Sequence, residues 1–185
     1  MMSVTRNGKA LPWYTYPCID FLRNISYENK LVLEFGGGQS PFWWAERSEK
    51  VITLEGNKDW FDRLKSKMPS NVDLHNISME SPDVCTKEVL DIINTYDNFK
   101  FDIIIIDGLY RFEMIEVAIQ ARSKSGIIIC DNAEGYGFYE GFNNRDLMRV
   151  DFFGYAPGVI YPHSTSIYFA PNSFVFSPAN PISTN

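Results

Sequence analysis

Two hydrophobic periods alternate along the chain. Lys30 to Phe35 (KLVLEF), Val51 to Glu55 (VITLE), Phe101 to Asp107 (FDIIIID) and Gly126 to Asp131 (GIIICD) are apolar at successive positions, as strands buried on both faces must be. Val72 to Ile77 reads as a shorter strand of the same kind. Between these runs the apolar residues recur at helical spacing. One helix is predicted to begin near Pro41 (PFWWAERS) and another spans Asp59 to Met68, with Trp60, Phe61, Leu64 and Met68 marking one face. A third covers Lys87 to Tyr96 and a fourth Glu113 to Arg122. Strands alternating with helices predict a parallel sheet covered by helices. Beyond residue 131 the character changes. Val150 to Phe153 and Ser166 to Phe169 read as short strands around a Gly/Pro/Tyr loop, an antiparallel pair at the sheet edge. Residues 1–29 precede the first strand and carry PWYTYP (Pro12 to Pro17), the expected arm or lid, leaving 30–185 as the domain proper.

A length of 185 residues suits one core, and 45 % hydrophobic with 22 % charged residues is ordinary for a globular chain. Fourteen Phe, ten Tyr and four Trp are a surplus of aromatics that suits a lined pocket. The formal charge of −6, with no Lys/Arg cluster, argues against nucleic acid as the partner. Cys18, Cys85 and Cys130 are scattered and lack metal-ligand spacing, as reduced core cysteines of a cytosolic protein are. The beginning MMSVTRNGKALPW has no apolar signal region. No apolar run reaches the ~20 residues of a membrane span. The expectation is therefore a cytoplasmic protein with no membrane partner, and the aromatic arm points to homo-oligomer formation.

In open α/β sheets ligands bind outside the carboxyl ends of the strands. Four of the five predicted strand ends carry an acid: Glu34, Glu55, Asp107 and Asp131. A charge at the end of an apolar strand is expensive to desolvate without a partner or a role. After Glu34 comes a glycine turn, Gly36, Gly37 and Gly38, followed by Ser40. A dinucleotide fingerprint would place its third glycine at position 41, which is Pro41.

On these residues the chain resembles the class I S-adenosylmethionine-dependent methyltransferases. Their acid-x-Gly-x-Gly motif is matched by Glu34, Gly36 and Gly38, and their ribose-binding acid by Glu55. Their region after the third strand is matched by Ile77, Ser78 and Met79. The resemblance covers roughly residues 30 to 170, and a further likeness to small bacterial and phage methyltransferases rests on the PWYTYP arm and the GGGQS turn. It implies an α/β, Rossmann-like three-layer sandwich with a mostly parallel seven-stranded sheet and an antiparallel C-terminal hairpin. It also implies S-adenosyl-L-methionine as cofactor, held by Glu34, Gly36, Gly37, Gly38, Ser40, Glu55, Ser78, Met79 and Asp107.

Methyl transfer needs an aligned acceptor and help in removing its proton. Asp107, Arg111 and Asp131 are the catalytic candidates. Likeness to the catechol O-methyltransferase branch further implies Asp107, Asp131 and Asn132 as ligands of Mg²⁺. That branch has a lysine base three residues after the first acid, where this chain has Tyr110 and then Arg111. Arg111 could receive an acceptor carboxylate or phosphate. On the competing reading Asp107 touches the donor's methionine amino group or the acceptor, and Asp131 with Asn132 orders the next loop. Trp13, Tyr14, Tyr16, Trp43, Trp44, Tyr136, Tyr139 and Tyr155 are the aromatics available for an acceptor cleft, and His163 is a candidate base. His75 reads as structural. The expected activity is O-methylation of a small hydroxylated metabolite or saccharide. The alternatives are a non-catalytic S-adenosylmethionine-binding module and a nucleotide-cofactor oxidoreductase.

Overall fold

Ile103 to Ile106 are four consecutive fully buried isoleucines. Side chains alternate between the faces of a strand, so such a run is stable only where both faces of the sheet are covered. The computed structural model, which describes residues 4–5, 7–96, 100–108 and 110–176, shows this arrangement. Residues 1–3 and 6 of the predicted arm, and residues 97–99, 109 and 177–185 of the predicted domain, lie outside the described residues.

The elements run α1 (Tyr16–Leu22), β1 (Leu31–Phe35), α2 (Ser40–Ala45), β2 (Lys50–Glu55), α3 (Lys58–Leu64), β3 (Val72–Asn76), α4 (Pro82–Ile93), β4 (Phe101–Ile106), α5 (Met114–Ala121), β5 (Arg122–Asp131), α6 (Phe138–Phe142), β6 (Met148–Gly154) and β7 (His163–Phe169). The seven strands form one sheet in the order β3-β2-β1-β4-β5-β7-β6. The first five are parallel; β7 runs antiparallel to both β5 and β6. This is the expected Rossmann-like α/β sandwich with its antiparallel terminal hairpin.

Alternation divides the core in two. Leu33, Phe35, Ile52, Leu54, Ile104, Ile106 and Ile128 face α4, α5 and α6. Val32, Val51, Ile103, Ile105, Ile127, Ile129 and Ile167 face α1 and α2, whose Trp43 and Trp44 are buried there. Odd-numbered positions of β4, β5 and β7 thus look toward α1. Continued to the strand ends, the same series carries Asp107, Asp131, Thr165 and His163.

Part of the predicted arm, from Tyr14 to Tyr27, packs into this second layer. Tyr14, Cys18 and Leu22 are fully buried, and the Tyr14 hydroxyl accepts from Trp44 Nε1 at 3.2 Å. Pro17 sits in the first turn of α1, where its missing N–H removes no helical bond. Helix α4 begins five residues before the predicted Lys87, because Ser81 caps it (Val84 N–H to Ser81 Oγ, 3.3 Å) and Pro82 opens it. Strand β5 starts at Arg122 rather than Gly126 and follows α5 with no intervening loop. No helix among the described residues is long and apolar enough to cross a membrane.

Candidate active site

Outside the carboxyl ends of β1, β2, β4 and β5 lies a cleft of about 450 Å³. Its wall includes Gly36, Gly37, Gly38 and Ser40 from the glycine turn, Glu55 after β2, Asp107 after β4, and Asp131 and Asn132 after β5. A narrower pocket of about 70 Å³ adjoins it and shares Gly36, Glu55 and Gly108. Phe35, Leu54, Ile77, Met79, Cys85 and Met114 make that pocket apolar.

The glycine turn is shaped by what it presses against. Gly36 has φ +100, and a Cβ there would stand 2.7 Å from Gly108 Cα. A Cβ on Gly108 would in turn meet Phe35 O at 2.9 Å. The ends of β1 and β4 therefore approach more closely than any side chain permits.

Glu34 and Glu55 serve this turn differently. Glu34 is fully buried and lines neither pocket: its carboxyl accepts from the Ser40 hydroxyl and, at 3.4 Å, from Thr53 Oγ1. Burial pushes its pKa well up, and the Ser40 bond opposes that. Glu34 thus braces the turn from beneath, out of reach of a ligand in the cleft. Glu55 faces both pockets. Its Oε2 accepts from Gly37 N–H at 2.8 Å and its Oε1 from Asn57 N–H at 2.6 Å, and the Gly56 N–H bonds the carboxylate as well, so three backbone amides fix it at the pocket wall. Ser78 lines neither pocket, and its amide donates to Glu88 (2.6 Å), whereas Met79 lines the narrow one.

Arg111 closes the strand ends. Its five N–H groups meet five acceptors: Gly108 O (2.9 Å), Asp131 O (2.6 Å), Asn132 Oδ1 (3.2 Å), Asp107 O (3.3 Å) and Asp107 Oδ1 (2.8 Å). Tyr136 covers the guanidinium, with its ring centroid at 4.4 Å. No donor of Arg111 is left for an acceptor anion; the side chain is a clamp. The flanking Tyr110 (φ 54) and Asn132 (φ 51) are both left-handed, a strained pair held by this clamp.

The expected cation site at Asp107, Asp131 and Asn132 is corrected by the same geometry. A guanidinium charge already bridges Asp107 and Asn132, and Asp131 Oδ1 takes the Thr165 hydroxyl at 2.8 Å. A divalent cation needs those oxygens free, so the trio does not fit one. Among the described residues no group of three or more His, Cys, Asp or Glu could hold a metal ion. Burial and the neighbouring Asp131 carboxylate push Asp107 above the usual carboxylate range, while Arg111 pulls it back.

Of the aromatic candidates, only Trp13 lines the cleft, and it is 45 % exposed. Tyr14, Trp43 and Trp44 are core, while Tyr16, Tyr139 and Tyr155 lie on the surface. His163 lines the cleft and is buried. His75 pairs with the Tyr96 hydroxyl at 2.7 Å, which in turn donates to Asp73. Pattern reading missed Gln39, Trp60, Gly108 and Val159 as wall residues. Trp60 had a signal: Asn57 caps α3, and one turn of helix swings the indole back to donate to Gly37 O.

No protein-family model and no curated protein matches the sequence. Solved structures do resemble it. The precorrin-6y C5,15-methyltransferase of Geobacter metallireducens aligns with a TM-score of 0.60 at 15 % identity, over 83 % of this chain and 87 % of that one. An O-methyltransferase of Bacillus cereus in complex with SAH aligns at 0.58 and 14 %, over 83 % and 78 %. An rRNA methylase of Streptococcus thermophilus aligns at 0.52 and 13 %, over 82 % and 92 %. The neighbours act on different substrates but share one architecture, and this chain has it: the Rossmann-like fold of the class I S-adenosylmethionine-dependent methyltransferases.

Proposed function

We propose that the protein is an S-adenosylmethionine-dependent methyltransferase acting on a small hydroxylated acceptor, without a metal ion. The observation that carries this is the pair of adjoining pockets hinged on Glu55. A carboxylate fixed by backbone amides at the junction of two pockets suits the ribose hydroxyls of an adenosyl group, since its paired oxygens are acceptors. The narrow apolar pocket beside it suits the adenine, with Met79, a flexible side chain, able to give way. The methionine part then runs over Gly36 to Gly38 toward Asp107, which leaves the rest of the cleft, whose wall includes Trp13, Val159 and His163, for the acceptor. The acceptor oxygen bonds to the methyl carbon, the carbon–sulfur bond breaks onto sulfur, and the hydroxyl proton is lost. Small polar acceptors fit a cleft of this volume, and the net charge of −6 speaks against a polyanionic one.

A thermal-shift titration with S-adenosylhomocysteine tests the donor site, with NAD as control. At 100 times its dissociation constant a ligand adds about 2.7 kcal/mol, which raises the Tm of a domain this size by about 5 to 10 °C. A shift with S-adenosylhomocysteine alone supports the reading. A shift with NAD alone overturns it in favour of a nucleotide-cofactor oxidoreductase.

A further inference from the structure

His163 is 5 % exposed, and its ring meets no short, well-aligned hydrogen-bond partner but is held loosely by the Asp131 carboxylate and the backbone at Tyr161. Its Nε2 lies 3.4 Å from Asp131 Oδ1, and the residue lines the same cleft as Asp131, Asp107 and Glu55. The other ionisable groups there are engaged. Arg111 has spent its donors, Asp107 is paired with Arg111, and Glu55 holds the Gly37 and Asn57 amides.

We propose that His163, steadied by Asp131, is the base that takes the acceptor's proton. The inference rests on the methyltransferase reading above. As the acceptor oxygen bonds to the methyl carbon and the carbon–sulfur pair returns to sulfur, the hydroxyl proton passes to the imidazole. The resulting charge is stabilised by the Asp131 carboxylate, and the proton later leaves to solvent. Asp131 is itself held in place by the Thr165 hydroxyl, so the dyad has a fixed orientation. The charged groups that act on the ring are Asp131 on β5, Glu134 in the loop after β5 and Asp107 after β4, and Arg111 lines the same cleft. Asp131 raises the imidazole above the usual histidine value and burial works against it. The neutral, basic form therefore grows as pH rises through a value above about 6.5, and kcat/KM should rise with it to a plateau.

The test compares the wild-type protein with His163→Gln and Asp131→Asn. Calorimetric binding of S-adenosylhomocysteine is one arm. Methyl transfer from labelled S-adenosylmethionine to phenol and catechol across pH is the second. The third is an imidazole NMR titration of the S-adenosylhomocysteine-loaded protein with and without phenol. The chain has two histidines, so His75→Gln assigns the signals. The expected result is donor affinity within about threefold of wild type in His163→Gln, but loss of at least about 100-fold in kcat/KM and of the rising pH limb. Turnover in His163→Gln within about threefold of wild type overturns the proposal. If neither probe is methylated, the NMR arm decides. A His163 midpoint that falls in Asp131→Asn, with signals that move on adding phenol, upholds the proposal; signals indifferent to phenol overturn it. Failure of the wild-type protein to bind S-adenosylhomocysteine brings down the underlying reading, and that appears in the first arm alone.

Discussion

Glu34 shows how a single residue can serve a site it never touches. Its carboxyl is buried under the glycine turn, where burial raises its pKa. In the unfolded chain it titrates near 4.3. Between that value and the raised folded value the folded state binds more protons, so stability falls as pH rises through this window. Glu34→Gln removes the titration. Urea unfolding from pH 5 to 8 should show a flatter profile for the variant, with its relative stability greatest at the alkaline end. Arg111 gives the opposite case. It is a partly buried cation with every donor engaged, and Arg111→Ala strands Asp107 and several carbonyls. A loss of about 3 kcal/mol is expected by urea unfolding, with little recovery in Arg111→Lys, whose ammonium cannot reach five acceptors. At this scale the sequence was legible in part. Acids at strand ends were visible in the pattern, and Asp107 and Asp131 do line the cleft. That an arginine four residues beyond Asp107 would fold back and take the cation position was not visible, because it depends on Tyr110 adopting φ 54.

Among elements, the direction of β7 matters most. A parallel strand offers the cleft its last residues; an antiparallel one offers its first, and so His163 and Thr165 arrive beside Asp131. Thr165 then joins three elements. Its hydroxyl donates to Asp131 and accepts from the Thr15 amide (2.9 Å), and the Thr15 hydroxyl donates to Phe152 O (2.8 Å). Thr165→Val keeps the shape but leaves a buried amide and a carboxylate oxygen short of partners. A cost of about 1–3 kcal/mol is expected in thermal or urea unfolding. The five parallel strands were readable because they are apolar on both faces. The first turn of α4 and the whole of α1 were not picked out by periodicity. Both carry a proline in the first turn, and in α1 the apolar spacing is short and interrupted by Asp20.

For the whole molecule, the sheet's double burial sets the stability. Ile104→Ala should cost about 2–5 kcal/mol by urea unfolding, since the residue is enclosed on its face by α-helices. The overall architecture was legible because alternating strands and helices admit few topologies. The metal was not settled by sequence, since three oxygen-bearing residues at adjacent strand ends look alike whether an ion or a guanidinium neutralises them.

The contact between Gly36 and Gly108 bears on how the sequence can change over generations. A methyl group added at Gly36 meets backbone at 2.7 Å, and so has no neighbouring side chain that a second mutation could trim. Gly36→Ala should lower stability by about 2 kcal/mol or more, from the left-handed backbone and the collision together. A genetic selection for suppressors of that change should return reversion to glycine and generally stabilising substitutions elsewhere, but no compensating replacement at position 108, which is already as small as a residue can be. The two positions are locked to one another by the absence of anything left to remove.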